Sequence, residues 1–287
     1  MIIKKSTRKI EIEQFNFWYN EERLATFSPA VRKELFAYRR GLKGEAETAF
    51  YLDRHFARSA DHALIHDLRI QDTPGSYAQF DHVLISRLSK TISIFEVKNF
   101  SGRLSKNDYG EWMVWYDGQR RPVDIPNPVE QARRQRVVLH RWLERKKFDG
   151  FFPNIGCFVV VPPKCAVDRS KISASEPIFK ADNVIREWTD FGGISPIGRL
   201  FSTRVNAESL RAIGRSLVRD HEEPETTIFH RLDVLPEEVK QQLHAASVSP
   251  EPHSLRPPEK GQADQAPDSD EAQPTSPVQS SLNGADL

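Results

Sequence analysis

Phe80-Asp81-His82-Val83-Leu84-Ile85, a turn over residues 86–91, and Ile92-Ser93-Ile94-Phe95-Glu96-Val97-Lys98 decide how this chain folds. Both runs have the apolar content and the length of strands, and the turn is short enough to fold the first back beside the second. In the second run a period of two sets Ile92, Ile94, Glu96 and Lys98 on one face and Ser93, Phe95 and Val97 on the other. Ionisable groups at the end of an otherwise apolar face are unfavourable in a core unless they are paired or bind a metal. The return of the chain lets Asp81 approach Glu96, and two neighbouring carboxylates repel unless a cation sits between them. The pattern predicts a divalent-metal site with Lys98 beside it. A structural salt-bridge cluster is the competing reading of the same three side chains.

The order Asp, short loop, Glu-x-Lys resembles the PD-(D/E)xK nuclease superfamily, and the surrounding words resemble its nuclease-related domain family, NERD. The words are Gly44-Glu45, Gln79 to Ile85, Ile94 to Asn99 with Ser101-Gly102, Trp112, and Asn127-Pro128 leading to Gln131. Phe80-Asp81 stands where the superfamily name has Pro-Asp. The resemblance implies a restriction-endonuclease-like α/β fold, a mixed central sheet flanked by helices. It implies a divalent-metal-dependent, endonucleolytic DNA phosphodiesterase of DNA processing or defence, with RNA left open as a substrate. Asp81 and Glu96 would ligate Mg²⁺ or Mn²⁺, with the Val97 carbonyl and waters completing an oxygen shell. Lys98 would orient the attacking water or offset charge in the transition state. Glu45 matches the helical acid of the superfamily; the competing reading is a solvent-exposed first-turn Glu favoured by the helix dipole.

Composition is ordinary for a soluble globular protein: 287 residues, 38% hydrophobic and 28% charged. No apolar run reaches the length of a membrane span. Glu11 and Glu13 follow the basic start where a signal peptide needs apolar residues, so a cytoplasmic setting is expected. Cys157 and Cys165 have no zinc-like spacing and read as core or loop thiols. The chain has no Walker-type phosphate loop, so a motor such as a helicase would be a separate chain. Residues 251–287 carry seven Asp/Glu against two Lys/Arg, net −5, which leaves +6 of the overall +1 on residues 1–250. A mildly basic body suits a phosphate-binding protein.

Four segments follow from the patterning. Residues 1–40 form an N-terminal extension whose aromatics Phe15, Phe17, Trp18 and Tyr19 dock on the core. Residues 41–150 form the nuclease-related part, 151–247 complete the globular body, and 248–287 are a disordered tail rich in Pro, Ser and acidic residues. Ser28-Pro29 starts a helix that Gly41 and Gly44 interrupt, and a second runs from Glu45 to about Arg58 with Ala46, Ala49, Phe50 and Phe56 on one side. Strands are expected at 62–70 and 111–116, and at 155–161 one buried on both faces. Asn127-Pro128-Val129-Glu130 starts a helix running to about Lys147, with Glu130 reaching back to the cap. Asn206 caps another that turns Leu210, Ile213 and Leu217 inward, and a short helix is expected at 236–244.

On the helix after Asn127, residues 131, 135, 138 and 142 share a side, so Gln131 and Gln135 stand in line with Val138 and Trp142. Two amides at the head of a buried face need partners, which the carboxylate edge can supply. Arg133 and Arg134 of that helix are the phosphate-contact candidates, against a merely solvated face. Asn99 is a further nucleic-acid candidate at the loop rim. His82 alternates away from Asp81 and reads as a packing histidine.

Overall fold

The computed structural model describes residues 1–191, 205–224 and 227–234. The expected helix at 236–244 and the tail from 248 lie outside them. The N-terminal region contains β1 (Ile2–Lys4), α1 (Arg8–Trp18), α2 (Glu21–Thr26) and α3 (Pro29–Phe56). The long hairpin β2 (His62–Thr73) and β3 (Ser76–Ser86) follows, then β4 (Thr91–Val97). A small meander, β5 (Arg103–Lys106), β6 (Trp112–Trp115) and β7 (Val123–Ile125), leads to α4 (Pro128–Lys146). The chain continues through β8 (Asn154–Val161), β9 (Ile178–Lys180), α5 (Val184–Phe191), α6 (Ala207–Arg219) and α7 (Ile228–Arg231).

The result is a mixed α/β fold around a six-stranded sheet of order β1-β2-β3-β4-β8-β9. Strands β2, β3 and β4 run antiparallel, while the β1–β2, β4–β8 and β8–β9 pairs are parallel. On one side Leu139, Trp142 and Leu143 of α4 and Leu210, Ile213 and Leu217 of α6 pack with Val83, Ile85, Ile92 and Ile94. On the other, Leu52 and Phe56 of α3 and Val184 of α5 pack with Leu64, Leu84, Phe95 and Val97. The period of two read along β4 therefore holds. No helix among the described residues is long and apolar enough to cross a membrane.

Several expectations are corrected. Gly41 and Gly44 do not break the helix, and α3 runs without interruption from Pro29 to Phe56. A glycine inside a helix costs about 1 kcal/mol against alanine, and the packing around Gly44 explains its presence. A Cβ there would lie 3.0 Å from Asn99 Cβ and 3.2 Å from its Nδ2. Phe50 stays half exposed rather than joining Ala49 and Phe56 in the core. Of the N-terminal aromatics, Phe15 and Tyr19 are buried with Leu35 and Val234, but Phe17 is 76% exposed.

The caps at Ser28, Asn127 and Asn206 form as read, accepting from Val31 N, Val129 N and Ser209 N. Glu130, by contrast, takes the Arg133 guanidinium at 2.5 Å. After β9 the chain turns into a short helix, α5.

Alternation along the hairpin has one interruption. Ala63 and Ile65 share a core cluster with Leu68 and Ile70, and Val83 and Ile85 share it with Ala78 and Phe80. Strict alternation would separate Ile65 from Leu68 and Phe80 from Val83. The change of phase falls at Asp67, whose backbone is left-handed at φ 51°, and at Asp81 across from it, between the paired His66–His82 and Leu68–Phe80. Replacing fully buried Leu139 by alanine should cost about 2–5 kcal/mol of unfolding free energy in a urea titration, since its cavity is lined by both α4 and the sheet.

Candidate active site

The site lies where β4 ends. Asp81 is one step beyond the His82–Phe95 pair that ends the β3–β4 ladder, as Glu96 is on the other strand. Asp81 Oδ2 accepts the Val97 N–H at 2.8 Å, and Lys98 N donates to Val160 O at 2.8 Å, extending the line of β4 beside β8. Glu96 is only 2% exposed and both of its oxygens are bonded. Lys98 Nζ donates to Oε1 at 2.7 Å and Gln135 Nε2 to Oε2 at 2.6 Å.

The first turns of α4 complete the arrangement. Gln131 Oε1 accepts from Lys98 Nζ at 2.7 Å, so the ammonium is held between an amide and a carboxylate. Gln135 Nε2 also donates to Gln79 O at 2.6 Å, and two acceptors around one nitrogen fix which way the amide faces. Its Oε1 is buried without a partner. The structure thus brings Asp81, Glu96, Lys98 and Gln131 together and adds Gln135 through the helix face read from spacing.

Glu45 is mid-helix in α3, not in a first turn, and its carboxylate faces inward. Oε2 lies 2.5 Å from Nε of Arg8, which also reaches Asp67 Oδ1 at 3.1 Å, while Arg8 Nη1 reaches Glu11 at 2.7 Å. Arg8 is 11% exposed and its three carboxylate neighbours keep the guanidinium charged. Burial, with Asp67 and Glu96 nearby, nevertheless outweighs Arg8 and pushes Glu45 up to about 7. Burial, with Glu96 and Glu45, pushes Asp81 well above the usual carboxylate range. The carboxylates are crowded into a space that disfavours their combined charge.

The candidate nucleic-acid residues fare differently. Asn99 Nδ2 donates to Arg40 O, so its amide is occupied in seating the loop against α3. Arg133 is bonded to Glu130 and to Ser175 O. Arg134 is exposed. His82 is fully buried, with Nδ1 2.8 Å from His66 Nδ1, and His66 Nε2 is 2.9 Å from Asp53 Oδ1. Burial, with His66 and Arg8, holds His82 well below the ordinary histidine value, hence neutral and packed as read.

Sequence reasoning missed Arg8 and Asp67. Asp67 had a signal, because His66-Asp67 interrupts the apolar run Ala63-Leu64-Ile65. Arg8 had none, being one of several basic residues far in sequence from Glu45.

A mixed sheet with an Asp, a Glu and a Lys gathered at one strand end defines a nuclease-like α/β domain. Residues 40–162 match the family model of the nuclease-related domain, NERD, whose general assignment is to the PD-(D/E)xK superfamily. All the sequence words that suggested it lie inside the match. Comparison with curated proteins and with solved structures gives no match.

The shifts of Asp81 and Glu45 carry a pH dependence. Both hold protons in the folded state at pH values where the unfolded chain, with carboxyls near 4, has released them. Their stabilisation is complete below about pH 4 and is lost as pH rises through their folded values. The unfolding free energy contributed by Glu45 should therefore fall between about pH 4 and 7. Glu45→Gln should flatten that dependence in urea titrations, and an unchanged slope would contradict the reading.

Proposed function

We propose that this chain is a Mg²⁺- or Mn²⁺-dependent nuclease that cleaves DNA endonucleolytically. The observation that carries the reading is the convergence of Asp81, Glu96 and Lys98 at the end of β4 in a nuclease-related domain. The donor set fits a hard cation: the carboxylates of Asp81 and Glu96 are close enough that Glu96 raises the cost of ionising Asp81. Among the described residues no group of three His, Cys, Asp or Glu side chains could hold an ion. A cation would therefore rest on these two, the Val97 carbonyl and water.

A bound divalent cation supplies a water of lowered pKa and offsets charge on the scissile phosphate. The protein's own residues do the rest. Gln135, anchored to Gln79 O, holds one Glu96 oxygen in place while Lys98 takes the other. Lys98, steadied by Gln131, presents a fixed ammonium to the developing negative charge. Glu45 adds to the field that draws the cation in. Arg134, exposed on the same helix, is the freer of the two expected phosphate contacts.

The rival is a nucleic-acid-binding domain without catalysis, favoured by the fact that both Glu96 oxygens already have protein partners. Incubation with supercoiled, linear and single-stranded DNA in Mg²⁺, beside gel-shift binding, separates the two. Cleavage should appear with Mg²⁺, vanish with chelator, and be abolished by Asp81→Ala, Glu96→Ala or Lys98→Ala while the circular dichroism spectrum is kept. Binding without cleavage under all conditions would select the rival, and a fully active Asp81→Ala protein would refute the site. Arg134→Ala should weaken binding and lower its salt dependence by about 0.9 in logarithmic slope on duplex DNA, the loss of one phosphate contact.

A further inference from the structure

A groove of about 480 Å³ runs between the N-terminal segment and α3. Its walls are Lys5, Ser6 and Lys9 on one side and Phe50, Asp53 and Arg54 on the other. Its lining flanks the Arg8–Glu45 ion pair along the chain: Arg8 falls between Ser6 and Lys9, and Ala46 and Ala49 of the lining continue α3 from Glu45. Eight residues of helix separate Glu45 from Asp53, about 12 Å.

The lining has the chemistry of a phosphate-bearing, ring-bearing chain. Lys5, Lys9 and Arg54 are exposed, and among the described residues none has an ion-pair partner. Elsewhere on the surface Arg87, Lys106, Arg141 and Lys146 are each tied to a carboxylate. The carboxylate in the groove, Asp53, is turned to His66, which leaves the cations of the rim in excess. Phe50 is 49% exposed among them, an aromatic face next to positive charge. Stacking on an aromatic ring combined with cations along the backbone is how single strands are held without sequence preference. The volume is that of a small-molecule pocket, too small for a duplex.

Resting on the nuclease reading above, we infer that this groove holds single-stranded nucleic acid entering or leaving the site, with Lys5, Lys9 and Arg54 on phosphates and Phe50 against a base. Two of the three cations precede the segment that matches the nuclease-related domain, so the N-terminal extension supplies part of the substrate track.

Fluorescence anisotropy with a labelled oligo-dT and a blunt duplex of equal length, in chelator so that nothing is cut, tests the assignment on the full chain. Replacing Lys5, Lys9 and Arg54 together by alanine should lower the logarithmic salt slope on oligo-dT by about two units, with a smaller change on the duplex. Phe50→Ala should weaken oligo-dT binding about tenfold. Phe50→Trp gives a second measurement, since its emission should be quenched by oligo-dT. All four side chains are exposed, so the variants should melt like the parent. Unchanged slope and affinity in the triple variant, no quenching, or equal losses on duplex and single strand would overturn the groove assignment while leaving the nuclease reading standing. A parent that does not bind oligo-dT in chelator would overturn the groove assignment, while cleavage in Mg²⁺ decides the nuclease reading separately.

Discussion

The burial of the Glu96 carboxylate is the constraint around which the site is built. A carboxylate this deep is tolerable only with strong donors on its oxygens. The two donors come from different elements: Lys98, two residues on along its own strand, and Gln135, one turn beyond Gln131 in α4. Meeting that requirement brings the start of α4 to the end of β4. The Asn127 cap and Pro128 fix where the helix begins, and so which turns carry the two glutamines. Asp81 then arrives through the ladder and takes the Val97 N–H, pinning β3 to β4 at the level of the charge. The same contacts that make the burial tolerable also set the site's geometry.

The crowded charge has a complement on the other side. Glu45 would be a further unpaired buried acid if α3 stood alone. Arg8 lies against it and is itself neutralised by Glu11 and Asp67. Asp67 can serve there because its left-handed backbone turns the strand's alternation at that point, a conformation uncommon outside glycine, asparagine and aspartate. Its Oδ2 accepts from Thr7 N at 2.8 Å, which ties the start of α1 to β2. One strained residue in the sheet thus anchors the N-terminal segment whose arginine balances the site.

Much of this was legible in the sequence because it rests on local rules. Alternation along 92–98 correctly put Glu96 and Lys98 with Ile92 and Ile94, helical spacing put Gln131 with Gln135, and Asn-Pro marked the start of α4. What the sequence could not show were features decided by packing between distant segments. Gly44 looks like a breaker on propensity, yet its missing side chain makes room for Asn99. Phe50 looks like a core residue on an amphipathic face, yet it stays half exposed. The change of phase at Asp67 and Asp81 defeats a strict period of two, and no pattern links Arg8 to Glu45. The meander β5 to β7 was read only at its middle strand, since three or four residues are too few to carry a period.

The segment that matches the family also does not close its own core. Residues 40–162 supply β2, β3, β4 and β8, but the sheet extends at one edge to β1 and at the other to β9. Ala63 and Ile65 of β2 share their cluster with Leu210, Ile213 and Leu217 of α6, and Gly214 is where that helix approaches closely enough to meet Ile3 and Ala63. Three fully buried aliphatic side chains are worth roughly 1.5–3 kcal/mol each in apolar burial, an amount comparable to the net stability of a whole domain. The carboxylates at the end of β4 depend on a sheet held against α4 closely enough for Gln135 to reach Glu96. The residues outside the family match therefore belong to the site's mechanics, through α6 beneath the sheet and Arg8 beside it.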